Sequence, residues 1–151
     1  MRKIMTVAAC GGLLALAACA PTKDATTEPP AATAETPTAS GVLSMNYIDA
    51  AAALAADNME KAKASLAALA KESSGELRTL AQAAADTGDI AATRERFKAL
   101  SALAVTMELP QDYAVAFCPM YKGGSKWVQK KDKIANPYYG SQMLTCGSFV
   151  N

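Results

Sequence analysis

From Ser44 to Leu109 the chain is rich in alanine, and its apolar residues recur at helical spacing between residues that start and stop helices. Ser44 is placed to cap a first helix running from near Met45 to Ala56, with Tyr47, Ile48, Ala51, Ala52 and Leu54 among its apolar positions. Asp57-Asn58-Met59-Glu60 breaks the pattern, and Asp57 and Glu60 stand at capping-box spacing for a second helix carrying Met59, Ala62, Leu66, Leu69 and Ala70. Ser73-Ser74-Gly75 reads as a turn. A third helix follows near Glu76 to Asp86, with Leu77, Leu80, Ala81 and Ala84 on one face. Thr87-Gly88-Asp89 ends it and caps the next. The fourth and longest helix runs near Ile90 to Glu108, with Ile90, Phe97, Leu100, Leu103, Ala104 and Met107 inward, and Pro110 stops it. Short connections favour antiparallel neighbours. The expected fold is therefore mainly α: an up-and-down bundle of about four helices with a short irregular or β appendage at the C-terminal end. A core of this size lined by alanine is marginal without a staple.

The stretch from Phe117 to Ser148 holds the chemistry. It opens on Cys118-Pro119-Met120, closes on Met143-Leu144-Thr145-Cys146-Gly147, and contains the single tryptophan, Trp127. Tyr113 to Phe117 alternates and is β-prone, so a short strand leads into Cys118. Lys122-Gly123-Gly124-Ser125 is a turn, Trp127-Val128 a second strand fragment, and Asn136-Pro137 and Gly140 mark further turns. Gln142 to Cys146 is expected to be extended and to lie beside the Cys118 segment. Cys118 and Met120, at i and i+2, share one face of a strand, and Met143 and Cys146, at i and i+3, meet on one turn.

Two thiols and two thioethers form a soft donor set, which selects soft metals such as Cu(I). The chain has no histidine, and Asp132 is the only carboxylate of the stretch. Zinc in a structural site wants four Cys or His ligands, and calcium and magnesium want oxygen clusters. The expected ligands are Cys118, Met120, Met143 and Cys146. The same residues support a second reading, a Cys118–Cys146 disulfide with both methionines in the core. It closes a loop of about 28 residues, for which the chain-entropy argument gives roughly 3–4 kcal/mol. Trp127 is read either as packing its loop onto the bundle or as a ring lying over a bound cation. Met45, Met59 and Met107 sit at helical positions and read as core. Lys122, Lys126, Lys130, Lys131 and Lys133 form a solvated face that also offsets the charge of two thiolates on Cu(I). An enzyme is not expected: there is no histidine base, no Cys-x-x-Cys pair, and Gly123-Gly124-Ser125-Lys126 lacks the spacing of a phosphate loop.

The start of the chain reads as a leader. Arg2 and Lys3 precede an apolar run from Ile4 to Ala18, too short to span a bilayer. The run ends in Leu16-Ala17-Ala18-Cys19, which resembles a bacterial lipobox; an ordinary secretory leader with an incidental cysteine is the other reading. On the first, residues 1–18 are a signal peptide, Cys19 is lipidated, and residues 19–43 are a Pro/Thr/Ala tether. Residues 44–151 then form the domain. A multiply acylated cysteine is a stable membrane anchor. By its likeness to known lipoproteins, Ala20 in place of an aspartate implies sorting to the periplasmic side of the outer membrane. As a flexible coil the tether spans roughly 25–30 Å. Cys10 leaves with the leader, so Cys118 and Cys146 are the thiols left in an oxidising compartment. Without Arg2 and Lys3, 13 of the 15 basic residues face 14 acidic ones, a balance with no electrostatic case for nucleic acid.

From about Met45 to Ser148 the chain resembles the domain of unknown function 3347 family, found in bacterial periplasmic lipoproteins and fused to adaptor subunits of heavy-metal efflux pumps. The likeness rests on Cys118-Pro119-Met120, Trp127, Asn136-Pro137-Tyr138-Tyr139-Gly140 and Met143-Leu144-Thr145-Cys146-Gly147, with Ala92-Thr93-Arg94-Glu95-Arg96-Phe97 and Leu100-Ser101 in the helical part. The chain departs from it in the short Tyr121-Lys122-Gly123-Gly124 segment and in Val128, where leucine is common. The resemblance implies a small helical bundle and copper or heavy-metal handling, with a metal-efflux adaptor or other envelope protein as partner, and it brings no established catalytic activity. It tilts the sulfur stretch toward a metal site, with the disulfide as an apo or oxidised state.

Overall fold

The computed structural model describes residues 42–150. Four helices, α1 (Met45–Ala55), α2 (Met59–Glu72), α3 (Gly75–Ala85) and α4 (Ile90–Ala104), are followed by β1 (Tyr113–Cys118), β2 (Ser125–Lys130) and β3 (Ser148–Phe149). The leader, Cys19 and the tether as far as Gly41 lie outside the described residues.

Three helices start at a side chain that satisfies an otherwise orphan N–H. Ser44 Oγ accepts from Asn46 N at 3.0 Å, Asn58 Oδ1 from Lys61 N at 2.9 Å, and Asp89 Oδ1 from Ala92 N at 2.8 Å. The second of these corrects the sequence expectation, which gave the cap to Asp57. Asp57 instead ends α1 with a positive φ of 56°. Its N–H donates to Leu54 O and that of Asn58 to Ala53 O, the paired bonds of a Schellman ending. The α4 helix stops at Ala104 rather than Glu108. The chain beyond it unwinds so that Glu108 O can accept from Leu43 N at 2.7 Å. Leu43, expected to be the last tether residue, is buried and belongs to the core.

Each helix packs on the next in sequence, and α1 and α4 both pack against β2. Ala50, Ala62, Ala81, Ala84 and Ala104 are fully or almost fully buried beside Leu54, Leu66, Leu69, Phe97 and Leu100. Small residues let the helix backbones approach, and the large ones fill the space between them. Tyr47 joins three elements: its ring stacks on Phe97 at 5.1 Å, its hydroxyl lies 2.7 Å from Ser101 Oγ, and its oxygen accepts from Val128 N at 3.3 Å. Burial raises the Tyr47 phenol far above its ordinary pKa, against the effect of those hydrogen bonds, so it stays a neutral part of the core.

The fold is mainly α with a C-terminal strand region, and that region is more ordered than an irregular appendage. It is a three-stranded antiparallel sheet of order β2-β1-β3, with Cys118 opposite Ser125 and Ala116 opposite both Trp127 and Phe149. Trp127 and Val128 are both 0 % exposed although neighbours on a strand point to opposite faces, so β2 is covered on both sides. Gln142 to Cys146 is not the extended segment expected: Gly140–Gln142 is a 3-10 turn and the chain keeps turning up to Cys146. Among the described residues, no helix is long and apolar enough to cross a membrane.

Candidate functional site

Cys118 closes β1 and Cys146 sits on the turn before β3. Their sulfurs are 3.2 Å apart, both as free thiols. Cys118 is fully buried and Cys146 partly exposed. The turning segment therefore delivers the second sulfur to the first without the strand pairing that the sequence suggested.

Several groups hold Cys146 there. Asn136, fully buried, donates from its backbone N–H to Leu144 O and from Nδ2 to Cys146 O, each at 2.7 Å. Its Oδ1 accepts from Tyr138 N at 2.8 Å and Tyr139 N at 3.3 Å. One amide thus ties the 136–139 turn to the 144–146 turn. Gly147 has φ +135°, and a Cβ there would lie 2.8 Å from Phe117 O and 2.9 Å from Trp127 Cη2. The backbone passes too close to β1 and the Trp127 ring for any side chain. Tyr139 Oη donates to Met120 O at 3.0 Å, and Tyr121 stacks on Tyr138 at 4.7 Å. Trp127 meets Tyr138 edge-on at 5.8 Å and donates from Nε1 to Gln129 Oε1 at 2.9 Å, so it packs beneath the Cys146 turn.

The methionines differ from their expected placement. β1 ends at Cys118, and Pro119 and Met120 lie in a bend, so Cys118 and Met120 do not share a strand face. Met120 is 61 % and Met143 37 % exposed, which places neither in the core. Met143 and Cys146 do share one turn, with Cys146 N donating to Met143 O at 3.0 Å. Among the described residues no three His, Cys, Asp or Glu side chains come together, so a metal at this place takes two thiols and donors of another kind. Two thiols flanked in sequence by thioethers suit a soft monovalent ion.

The two thiols are electrostatically unequal. Burial pushes the Cys118 thiol up, but hydrogen bonds from Cys146, from the Met120 and Tyr121 N–H groups and from the Asn136 side chain outweigh it, and its pKa falls below the ordinary thiol value. Cys146 is raised because it donates its proton to Cys118, and burial and the Cys118 charge add to the effect. Of the two, the buried sulfur is the one whose thiolate form the surroundings favour. Donors aimed at the Cys118 sulfur favour the thiolate, the form in which a cysteine ligates a metal.

A second polar cluster fastens the loop to the helices. Arg94 on α4 donates from Nε to Pro137 O at 2.9 Å and from Nη2 to Leu54 O at 2.7 Å, and its Nη2 pairs with Asp57 Oδ1. Asp57 Oδ2 accepts from Ser141 N at 2.9 Å. A Cβ on Gly140, whose φ is +57°, would collide with both side chains of the pair. Sequence reasoning missed this cluster, and it missed Asn136 as more than a turn residue. The only local signals were Gly140 and the Asn-Pro dipeptide.

The hydrogen bonds from Ser141 and then Arg94 hold the Asp57 carboxyl well below the usual carboxylate range. A depressed folded-state pKa gives stability that is fully present above the unfolded value of about 3.9 and is lost as pH falls below it. Thermal melts from pH 6 to pH 2 are expected to fall less steeply for Asp57→Asn than for the wild type. Parallel melting curves would show that Asp57 does not contribute.

No family model, curated protein or solved structure matches the chain.

Proposed function

We propose that the chain is a lipid-anchored periplasmic protein whose Cys118–Cys146 pair binds Cu(I), or a similar soft ion, as buffer or carrier for a metal-efflux system. The observation that carries this reading is the pair itself: two free thiols with sulfurs 3.2 Å apart, one buried and the other partly exposed. Met120 and Met143, both exposed and near the cysteines in sequence, are the further donors in this proposal. Trp127 supports the site from below, and the helices serve as an up-and-down scaffold. The resemblance of the sulfur motifs to lipoproteins and adaptor-fused domains points to the partner, a metal-efflux adaptor or other envelope protein. The lipobox at Cys19 supplies the anchor and the outer-membrane location. No catalytic step belongs to this reading.

The separation of the thiols also favours a second reading, a disulfide-stapled interaction module of the envelope without metal. The sulfurs stand about 1 Å beyond bonding distance, a gap that small rotamer changes close. Native mass measurement of the exported domain, made without its anchor and purified from periplasm with and without added copper, separates the two. A copper adduct on a protein with two free thiols is expected. A species lighter by two hydrogens, with no adduct at any copper supply, would overturn the metal reading.

A further inference from the structure

The loop carrying Cys146 is fastened twice. Asn136 fixes it internally, turn to turn. The second fastening is external: Arg94 holds the carbonyl of Pro137 and Asp57 holds the N–H of Ser141, so α4 and the end of α1 grip both sides of Gly140. The same Arg94 also ties α4 to the end of α1, through Leu54 O and Asp57. The ending of α1 is already satisfied by its own Schellman bonds, yet Arg94, whose side chain is 12 % exposed, spends its donors on Leu54 O, Asp57 and the loop. Gly140 has no side chain where any other residue would drive the pair apart.

We propose that Asp57 and Arg94 are positioning residues for Cys146, holding the 137–141 turn so that the Cys146 sulfur stays within reach of Cys118. The inference rests on the reading of the thiol pair as the working site. The pair must serve different separations. Taking the roughly 2.3 Å of a zinc–thiolate bond as a scale, one ion held linearly between two sulfurs spreads them to about 4.6 Å. A disulfide draws them to about 2.05 Å. From 3.2 Å the pair has to open for a metal and close for a bond. A turn anchored at Pro137 and Ser141 limits that travel to the few residues up to Cys146, which keeps the effective concentration of one thiol beside the other high. The grip comes from helices remote in sequence: Ser141 lies 84 positions from Asp57.

Asp57→Asn is the informative variant. Asparagine tolerates the left-handed conformation at this position and keeps an oxygen for Ser141 N, but removes the charge that holds Arg94. The readout is the equilibrium with a glutathione buffer at fixed pH. Protein dithiol and oxidised glutathione give protein disulfide and two reduced glutathiones: two S–H bonds and one S–S bond break, one protein S–S bond and two glutathione S–H bonds form, and two electrons pass to glutathione. The equilibrium constant for forming the protein disulfide is expected to fall about tenfold, equivalent to about 30 mV. Cu(I) affinity is expected to fall by a similar factor, as for loss of a group that orients a ligand. Arg94→Lys, which keeps the charge and loses the fork, should behave in the same way. Glu95→Gln, which breaks only the surface pair of Glu95 with Lys122, should leave both quantities within twofold of the wild type. Asp57→Asn within twofold of the wild type in the glutathione equilibrium would overturn the positioning role. A wild type that equilibrates with glutathione but takes no copper, with Asp57→Asn still shifted, would leave the positioning role standing and remove the metal function. A wild-type pair that stays reduced across the whole buffer range, with Asp57→Asn within twofold of the wild type in Cu(I) affinity, would overturn the positioning role.

Discussion

Replacing Cys118 by serine is expected to abolish tight Cu(I) binding, with a loss of at least about 100-fold, the upper end of what removing a mere supporting group costs a metal site. Serine is close in size and keeps a hydrogen-bonding atom beside Cys146, but its oxygen is hard and does not ionise, whereas the surroundings of Cys118 favour the thiolate. The N–H groups of Met120 and Tyr121 then point at a neutral hydroxyl. Cys146→Ser should lose affinity in the same direction. Met120→Leu and Met143→Leu should lose less, because a thioether brings no charge and both side chains already stand in solvent. Competition against a Cu(I)-specific chelator under reducing conditions measures all four. Unchanged affinity in both cysteine variants would sink the metal proposal. The disulfide reading makes a different forecast for the same proteins: the oxidised wild type loses roughly 3–4 kcal/mol of stability on either cysteine substitution, and copper leaves its melting temperature unmoved.

What the sequence revealed about this fold was local. Ser44 and Asp89 act as caps because a short polar side chain just before a periodic apolar run has one good use, and that use lies within three residues. Tyr113 to Phe117 was readable as a strand because one of its faces is more buried than the other. Trp127-Val128 gave only a fragment. β2 is covered by helices on one side and by the Cys146 turn on the other, so Trp127, Val128 and Gln129 are all buried and the alternation that marks a strand is lost. Asp57 was misread for the opposite reason. Its spacing to Glu60 satisfies the capping rule, but its partners, Arg94 and Ser141, lie 37 and 84 positions away and cannot be seen in a window of sequence. The thiol pair was legible as chemistry, from residue types alone. Its geometry was not, because it depends on a buried asparagine and on two glycines whose positive φ lets the backbone pass where no Cβ fits. Pairing Met120 with Cys118 by strand periodicity failed at one residue, since Pro119 cannot continue the ladder and the strand ends before it.

Trp127→Ala is expected to cost about 3–5 kcal/mol, the range for removing a large aromatic from a packed core. The ring is fully buried, lies edge-on to Tyr138 at 5.8 Å and sits directly under Gly147. Collapse into the space is opposed on every side: β2 is pinned to α1 through the Val128 N–H on Tyr47, and Tyr138 is fixed by its hydroxyl on Lys126 O at 2.5 Å. Domains of this size are stable by about 5–15 kcal/mol in total, so the variant approaches unfolding at ambient temperature. Urea denaturation should show the midpoint falling by about 2 M at unchanged slope. Trp127→Phe separates support from contact with an ion. It keeps an aromatic ring under the turn and loses the donor to Gln129 Oε1, which still accepts from Ala135 N at 2.9 Å, so its cost should be about 1–2 kcal/mol. Its copper affinity should match the wild type, since a ring buried beneath Gly147 acts by holding the backbone that carries Cys146. A wild-type midpoint for Trp127→Ala would mean that the turn does not rest on the ring. A Trp127→Phe protein that folds normally yet loses copper as fully as Cys118→Ser would place the indole on the ion itself.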